Sequence, residues 1–276
     1  MTERPVTDHR TVEFGVDPRQ RLDVFTASPE NARRTAVLVV HGGAFVHGDR
    51  TLVHGRCRAL ARRGFTALAV GYRLLDTAKW PAPLDDLRSA VRWTGDNADE
   101  LGVTTDRIVV QGHSAGAQLA LLVAGTARAD ESPAVAAVVS YFGAAGVSMD
   151  PKPGYMPSQM ILGPEATEEA TEAASALTYI DTDFPPTCLV HGAGDRLVPV
   201  AAALKLFDAL TEAGVRTDLH IVAGQDHEFD MTDRYVESAA EIVSAFLLVE
   251  VVEVEEAARE VLQSNPFAAI ADPPER

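Results

Sequence analysis

The sequence predicts an α/β fold: a mostly parallel central sheet covered by helices on both faces. Three observations predict it. Short, largely apolar runs recur along the chain, notably Ala36–Val40, Ala67–Val70, the Ile108–Val110 centre of Arg107–Gln111, Ala134–Phe142 and Thr187–Val190. These lack the apolar/polar alternation of a half-exposed strand and suit strands buried on two faces. Between them lie stretches with helical spacing, and several junctions carry glycine, as strand–helix alternation requires.

In chain order, residues 11–16 and 21–26 read as an opening antiparallel hairpin with Asp17-Pro18 in its turn. The buried strand Ala36–Val40 ends in His41-Gly42-Gly43-Ala44-Phe45. A helix over 52–63 stops at Gly64, and the strand Ala67–Val70 follows. Leu84, Leu87 and Val91 mark a helix over 84–97, opened by proline and paired aspartates that suit a first turn. The strand Arg107–Gln111 gives way at Gly112-His113-Ser114-Ala115-Gly116 to a helix over 117–124. After Ala134–Phe142 comes an irregular insertion, residues 143–184, with one helical piece at 165–177. Thr187–Val190 is a strand, 200–213 a helix ended by Gly214, 218–222 a last strand, and the chain is helical from Thr232.

No repeat or linker divides the chain, so residues 1–248 form one domain carrying the small cap-like insertion. Residues 249–276 read as an acidic helical extension and flexible tail, either solvated or contributing to a homodimer contact.

At 276 residues, 46% hydrophobic and 23% charged, the chain has the profile of a packed globule. A net charge of −16 argues against nucleic-acid or anionic-membrane partners, which need basic patches. No apolar run approaches a membrane span, and no basic-then-apolar leader is evident. Cys57 and Cys188 fall in buried elements, favouring reduced thiols and a cytoplasmic location over a disulfide between them.

The pentapeptide at 112–116 carries the chemistry. Gly-x-Ser-x-Gly occurs by chance in about one chain in ten of this length, so its context decides. At a strand-to-helix corner the turn is so sharp that side chains two before and two after the serine would collide. A serine hydroxyl also needs a base, and that base an orienting acid. In open sheets both lie past the C-terminal ends of later strands. Asp195 follows the Thr187–Val190 strand and His227 follows the 218–222 strand. Asp226 and Asp230 are rival acids, tethered close to His227; His220 alternates inside a strand and reads as structural. His41, His47 and His54 are too widely spaced to suggest a metal cluster. A tetrahedral intermediate further needs preorganised N–H donors. The amides of Gly43, Ala44 and Ala115 are the candidates for that oxyanion hole.

With these residues, and with Gly71-Tyr72-Arg73-Leu74 and Trp80-Pro81-Ala82-Pro83-Leu84-Asp85-Asp86, the chain resembles α/β-hydrolase serine esterases over about residues 20–248. It is similar to the hormone-sensitive-lipase-like, bacterial feruloyl-esterase-like and arylformamidase-related groups. Those lipase-like enzymes usually carry an acidic residue where His113 stands, and glycine where Ala44 and Ala117 stand, so the chain sits nearer the other two.

The resemblance implies the α/β-hydrolase fold and hydrolysis of small, largely uncharged acyl or aryl esters through an acyl-enzyme, with no metal or organic cofactor. It gives Ser114 as nucleophile, His227 as proton shuttle and Asp195 as its orienting acid. An arylformamidase-type amidohydrolase would use the same triad, and a non-catalytic ligand receptor on this fold is the remote alternative. Tyr155, Met156, Met160, Ile161 and Leu162 of the insertion are candidate substrate-pocket residues, or pack the insertion onto the body. Phe45 and His113 join them as candidate substrate contacts, although His113 should point across the turn.

Overall fold

A computed structural model describes residues 9–126, 134–150 and 152–264. Strands β1 (Arg10–Glu13) and β2 (Arg21–Phe25) form the opening hairpin, and β3 (Ala36–Val40) follows. A 3₁₀ turn leads into α1 (His54–Arg62), then β4 (Thr66–Val70), α2 (Ala82–Asp96) and the short α3 (Ala98–Leu101). Next are β5 (Ile108–His113), α4 (Ala115–Thr126) and β6 (Val135–Tyr141). The insertion holds β7 (Gly146–Ser148), β8 (Tyr155–Pro157), α5 (Ser158–Leu162) and α6 (Glu168–Ala173). The chain continues with β9 (Thr187–Gly192), α7 (Ala201–Glu212), β10 (Thr217–Val222), α8 (Asp233–Leu247) and α9 (Val254–Ser264).

The main sheet runs β1-β2-β4-β3-β5-β6-β9-β10. β2 is antiparallel to β1 and β4, and all other pairs are parallel. The apolar run of β3 is explained by its place between β4 and β5, where all five residues are buried. Its side chains alternate between two cores. Leu38 and Val40 pack with Leu87 and Leu119 on one face, and Val37 and Val39 with Cys57, Phe65 and Phe246 on the other. Each such side chain stabilises the fold by roughly 1.5–3 kcal/mol.

α2 is amphipathic, with Leu84, Leu87, Ala90 and Val91 buried. Its buried Asp86 accepts hydrogen bonds from the amide and guanidinium of Arg73 and from Gln20. α4 differs: every residue from Ala115 to Gly125 is buried, so the helix is covered all round. The insertion forms part of its cover. A Cβ on Gly125 would lie 2.5 Å from Tyr179 Cβ, and Gln118 Nε2 donates to Ala174 O at 2.9 Å.

Two expectations are corrected. The helical piece expected at 165–177 is the shorter α6 plus a 3₁₀ turn at Ala176–Tyr179, while β7, β8 and α5 add structure not read from sequence. The C-terminal extension does not simply prolong α8. A π turn over Leu248–Val252 breaks it, and α9 starts beyond Glu253. The break buries Val251 and brings Val252 O to Arg107 Nη2 at 3.1 Å. The flexible tail expected after Ser264 lies outside the described residues.

Candidate active site

β5 ends at His113 and α4 begins at Ala115, so one residue, Ser114, makes the whole turn. Its φ of 54° is in the left-handed region, which costs a non-glycine residue about 1–3 kcal/mol. The Ser114 amide donates to Tyr141 O at 2.9 Å. The flanking glycines are forced by close approach. A Cβ on Gly112 would stand 2.1 Å from Gly116 O, and one on Gly116 would stand 2.5 Å from both Val40 O and His41 O.

Ser114 Oγ lies 2.9 Å from His227 Nε2, and His227 Nδ1 lies 2.7 Å from Asp195 Oδ2. With the ring proton on Nδ1, the serine hydroxyl donates to Nε2 and Nδ1–H donates to the carboxylate. The other Asp195 oxygen accepts the amides of Leu197 and Val198 at 2.9 and 2.8 Å. His191 Nε2 stands 3.2 Å from Asp195 Oδ2 and 2.8 Å from Val198 O. Burial pushes the His191 pKa down, so a neutral ring with its proton on Nε2 fits both acceptors. The two loops meet because β9 and β10 are neighbours; a Cβ on Gly192 would lie 2.3 Å from Gln225 O.

The rival acids have other partners. Asp226 accepts from Arg196, and its carboxyl is held at about 2 by the amides of Arg196 and His227 and by the Arg196 side chain. Asp230 is buried and takes two 2.6 Å hydrogen bonds from Arg56. Burial pushes its carboxyl up, but His113 and Arg56 outweigh that and hold it well below the usual carboxylate range.

The loop leaving β3 has three consecutive positive φ values, Gly43 at 112°, Ala44 at 52° and Phe45 at 63°. His41 holds its base. The ring stacks on Tyr72 with centroids 4.3 Å apart, its Nδ1–H donates to Gly42 O at 2.7 Å, and Tyr72 OH donates to His41 O at 3.0 Å. The Gly43 and Ala44 amides donate to no carbonyl among the described residues. The loop abuts the serine, since a Cβ on Gly42 would be 3.0 Å from Ser114 Cβ. Ala115 follows the serine as the first residue of α4.

The candidate substrate contacts divide. A cavity of about 430 Å³ is lined by Leu75, Lys79, Trp80, Met160, Ile161 and Leu162 among others. Tyr155 and Met156 are not on it. They pack onto the core, and Lys152 and Lys205 each lie 5.8 Å from the Tyr155 ring centre. Phe45 is buried, 6.1 Å from Trp80 between ring centres, so it backs this cavity rather than facing solvent. His113 does not face substrate either. It is buried against Tyr141, with Nε2 3.2 Å from Asp230 Oδ2.

Sequence reasoning missed His191, Arg196, Trp80 and Lys79. His191 begins the run that holds Asp195 and Trp80 lies in a segment noted above, but their partners are distant in sequence. His54, read above as too far from other histidines for a metal cluster, does meet His9 and Asp23. Arg50 Nε already stands 2.9 Å from the Asp23 carboxylate there, so the grouping reads as an ion pair.

Known proteins agree with this architecture. The chain is 28% identical over 253 residues to "Esterase LipC" of Mycobacterium tuberculosis, covering 84% of this chain and 62% of that protein. It is 28% identical to the "Ethyl acetate hydrolase" of Pseudomonas putida over 75% of this chain and 69% of that one. The chain thus spans about three fifths of LipC and of "Esterase LipQ", with 62% and 61% covered. Among solved structures, the propionate-bound esterase Est2 of Thermogutta terrifontis superposes with a TM-score of 0.74 at 24% identity, covering 89% of this chain and 95% of that one. The profile of the BD-FAE family matches residues 22–210. With that match over most of its length and the strand order above, the chain belongs to the BD-FAE family of α/β-hydrolases.

Proposed function

We propose that this protein is a serine carboxylesterase acting on small, largely uncharged acyl or aryl esters through an acyl-enzyme intermediate. The observation that carries the reading is the continuous hydrogen-bond chain Ser114 Oγ, His227, Asp195, with links of 2.9 and 2.7 Å. Ser114 Oγ attacks the ester carbonyl as its proton passes to His227 Nε2. Asp195 keeps the ring in the required tautomer and stabilises the imidazolium. The amides of Gly43, Ala44 and Ala115 take the developing oxyanion. His227 returns the proton to the leaving alcohol, and a water deprotonated by the same ring releases the acid.

Names of relatives, "Esterase LipC" and "Ethyl acetate hydrolase", support an ester rather than a formamide as substrate. We assign the acyl or alcohol group to the cavity of about 430 Å³, where Leu75, Trp80, Met160, Ile161 and Leu162 lie beside Lys79, Gln159 and Glu165. The buried free thiols of Cys57 and Cys188 support a cytoplasmic location. Among the described residues no helix is long and apolar enough to cross a membrane.

Replacing Ser114 by Ala tests the reading. Hydrolysis of a p-nitrophenyl acyl ester should fall by up to about a millionfold; near-normal turnover overturns the proposal. A strong preference for N-formylkynurenine over short esters in kcat/KM would make the enzyme a formamidase instead.

A further inference from the structure

Glu228 follows His227 directly and has φ 55°, ψ 27°, a left-handed conformation that is strained for glutamate. It is held there because its neighbours are anchored: Phe229 and Asp230 are buried, and Asp230 is gripped by Arg56. The result is an unusual side-chain position. A Cβ on Gly42 would be 3.0 Å from Glu228 Oε1 and equally 3.0 Å from Ser114 Cβ, so the two atoms are at most about 6 Å apart. The side chain is half-buried, and among the described residues its carboxylate has no hydrogen-bond or ion-pair partner.

That carboxylate opposes the negative charge that would develop between Ser114 and the Gly42-Gly43-Ala44 loop. The penalty is relieved if the substrate brings a donor to it. We infer that Glu228 is a specificity residue that binds a hydrogen-bond-donating substituent, ammonium or hydroxyl, carried on the carbon next to the scissile carbonyl. The reach fits, since such a substituent extends about two bonds from a carbonyl carbon attached to Ser114 Oγ. The inference rests on the esterase reading and narrows its substrate class to amino- or hydroxy-substituted acyl esters.

The test compares ethyl glycinate and ethyl glycolate with ethyl propionate, three acyl groups of nearly one size that differ in the terminal group. kcat/KM is measured below neutral pH, where the amine is protonated, in the unmodified protein and in Glu228→Gln and Glu228→Gly. Intrinsic reactivity cancels when each substrate's ratio to propionate is compared between proteins. The glycine variant accepts the positive φ without strain, so it retains the loop if the glutamine variant does not.

A cation-binding Glu228 lowers the glycinate-to-propionate ratio about tenfold or more in both variants. A hydroxyl-binding one lowers the glycolate ratio chiefly in Glu228→Gly, because glutamine retains an acceptor oxygen. Ratios that stay within about twofold in both variants overturn the inference. Ethyl propionate separates the two proposals: no hydrolysis of any of the three esters by the unmodified protein refutes the esterase reading, whereas propionate turnover with unmoved ratios refutes only the role of Glu228.

Discussion

Asp226 accepts the Arg196 amide at 3.0 Å and Arg196 Nε–H at 2.6 Å, joining the residue after Asp195 to the residue before His227. The same carboxylate caps the His227 amide at 2.9 Å. This pair therefore fixes the spacing of two loops whose 2.7 Å contact orients the imidazole. Replacing Asp226 by Ala should lower kcat about tenfold with little change in KM, because the imidazole loses its alignment rather than the substrate its contacts. Steady-state kinetics on a p-nitrophenyl ester check it. The sign with pH follows from the lowered carboxyl. Its contribution is present above the ordinary value near 3.8 and is lost as pH falls toward about 2. The variant should therefore lose less stability than the parent across that interval.

His41 makes a second pH prediction. Burial lowers its pKa from 6.5 to about 4, so the folded state holds the ring neutral while the unfolded chain protonates it below about 6.5. The unfolded state binds the extra proton across that window, and stability falls as pH drops from 6.5 through about 4. His113, also lowered by burial, acts in the same direction. The His41 share is at most about 3 kcal/mol by the conversion of pKa to free energy. Urea denaturation at pH 7 and pH 4.5 should show a smaller pH-dependent loss in His41→Gln than in the parent. An equal loss in both would remove His41 as its source.

Two glycines separate crowding from conformational strain. Gly116→Ala drives a methyl group to 2.5 Å from the carbonyls of Val40 and His41, where α4 rests on the root of the Gly42-Gly43-Ala44 loop. It should destabilise the fold by about 1–3 kcal/mol and depress kcat, because serine and loop amides move apart together. Gly102→Ala is the control: its φ is 68° but nothing lies within 4 Å of the added methyl. It should cost only about 1 kcal/mol, with kcat unchanged.

These residues also mark how far the sequence could be read. The strand runs were legible because β3, β4 and β5 are buried on both faces and therefore apolar throughout. Ser114, Asp195 and His227 were legible because strand ends in an open sheet converge on one edge. β7, β8 and α5 were not, because elements of three to five residues carry too little periodicity; packing of Val147, Tyr155, Met156 and Ile161 on the core holds them. Side-chain direction was equally hidden. Asp230 is tethered to His227 in sequence, yet its partner Arg56 lies 174 positions away. The position of Glu228 depends on a single left-handed φ that nothing in the letters Asp-His-Glu-Phe indicates.

The cavity between Trp80 and α5 gives the last prediction. Its wall includes Leu75, Lys79 and Trp80 on the body and Gln159, Met160, Ile161, Leu162 and Glu165 on the insertion; as the proposed acyl pocket, it should set the chain length of the substrate across that seam. Leu162 is only partly buried, so it can be enlarged without overpacking the core. Leu162→Trp takes volume from a space of about 430 Å³ and should lower kcat/KM for a hexanoyl p-nitrophenyl ester about tenfold relative to the acetyl ester. Met160, nearly half exposed at the rim, offers the opposite change. Met160→Ala should favour the longer ester by a few-fold. If both variants shift acetyl and hexanoyl turnover equally, the cavity is not the acyl pocket and the chain-length limit lies elsewhere. A shift of opposite sign in the two variants is the result expected of a pocket whose size is shared between body and insertion.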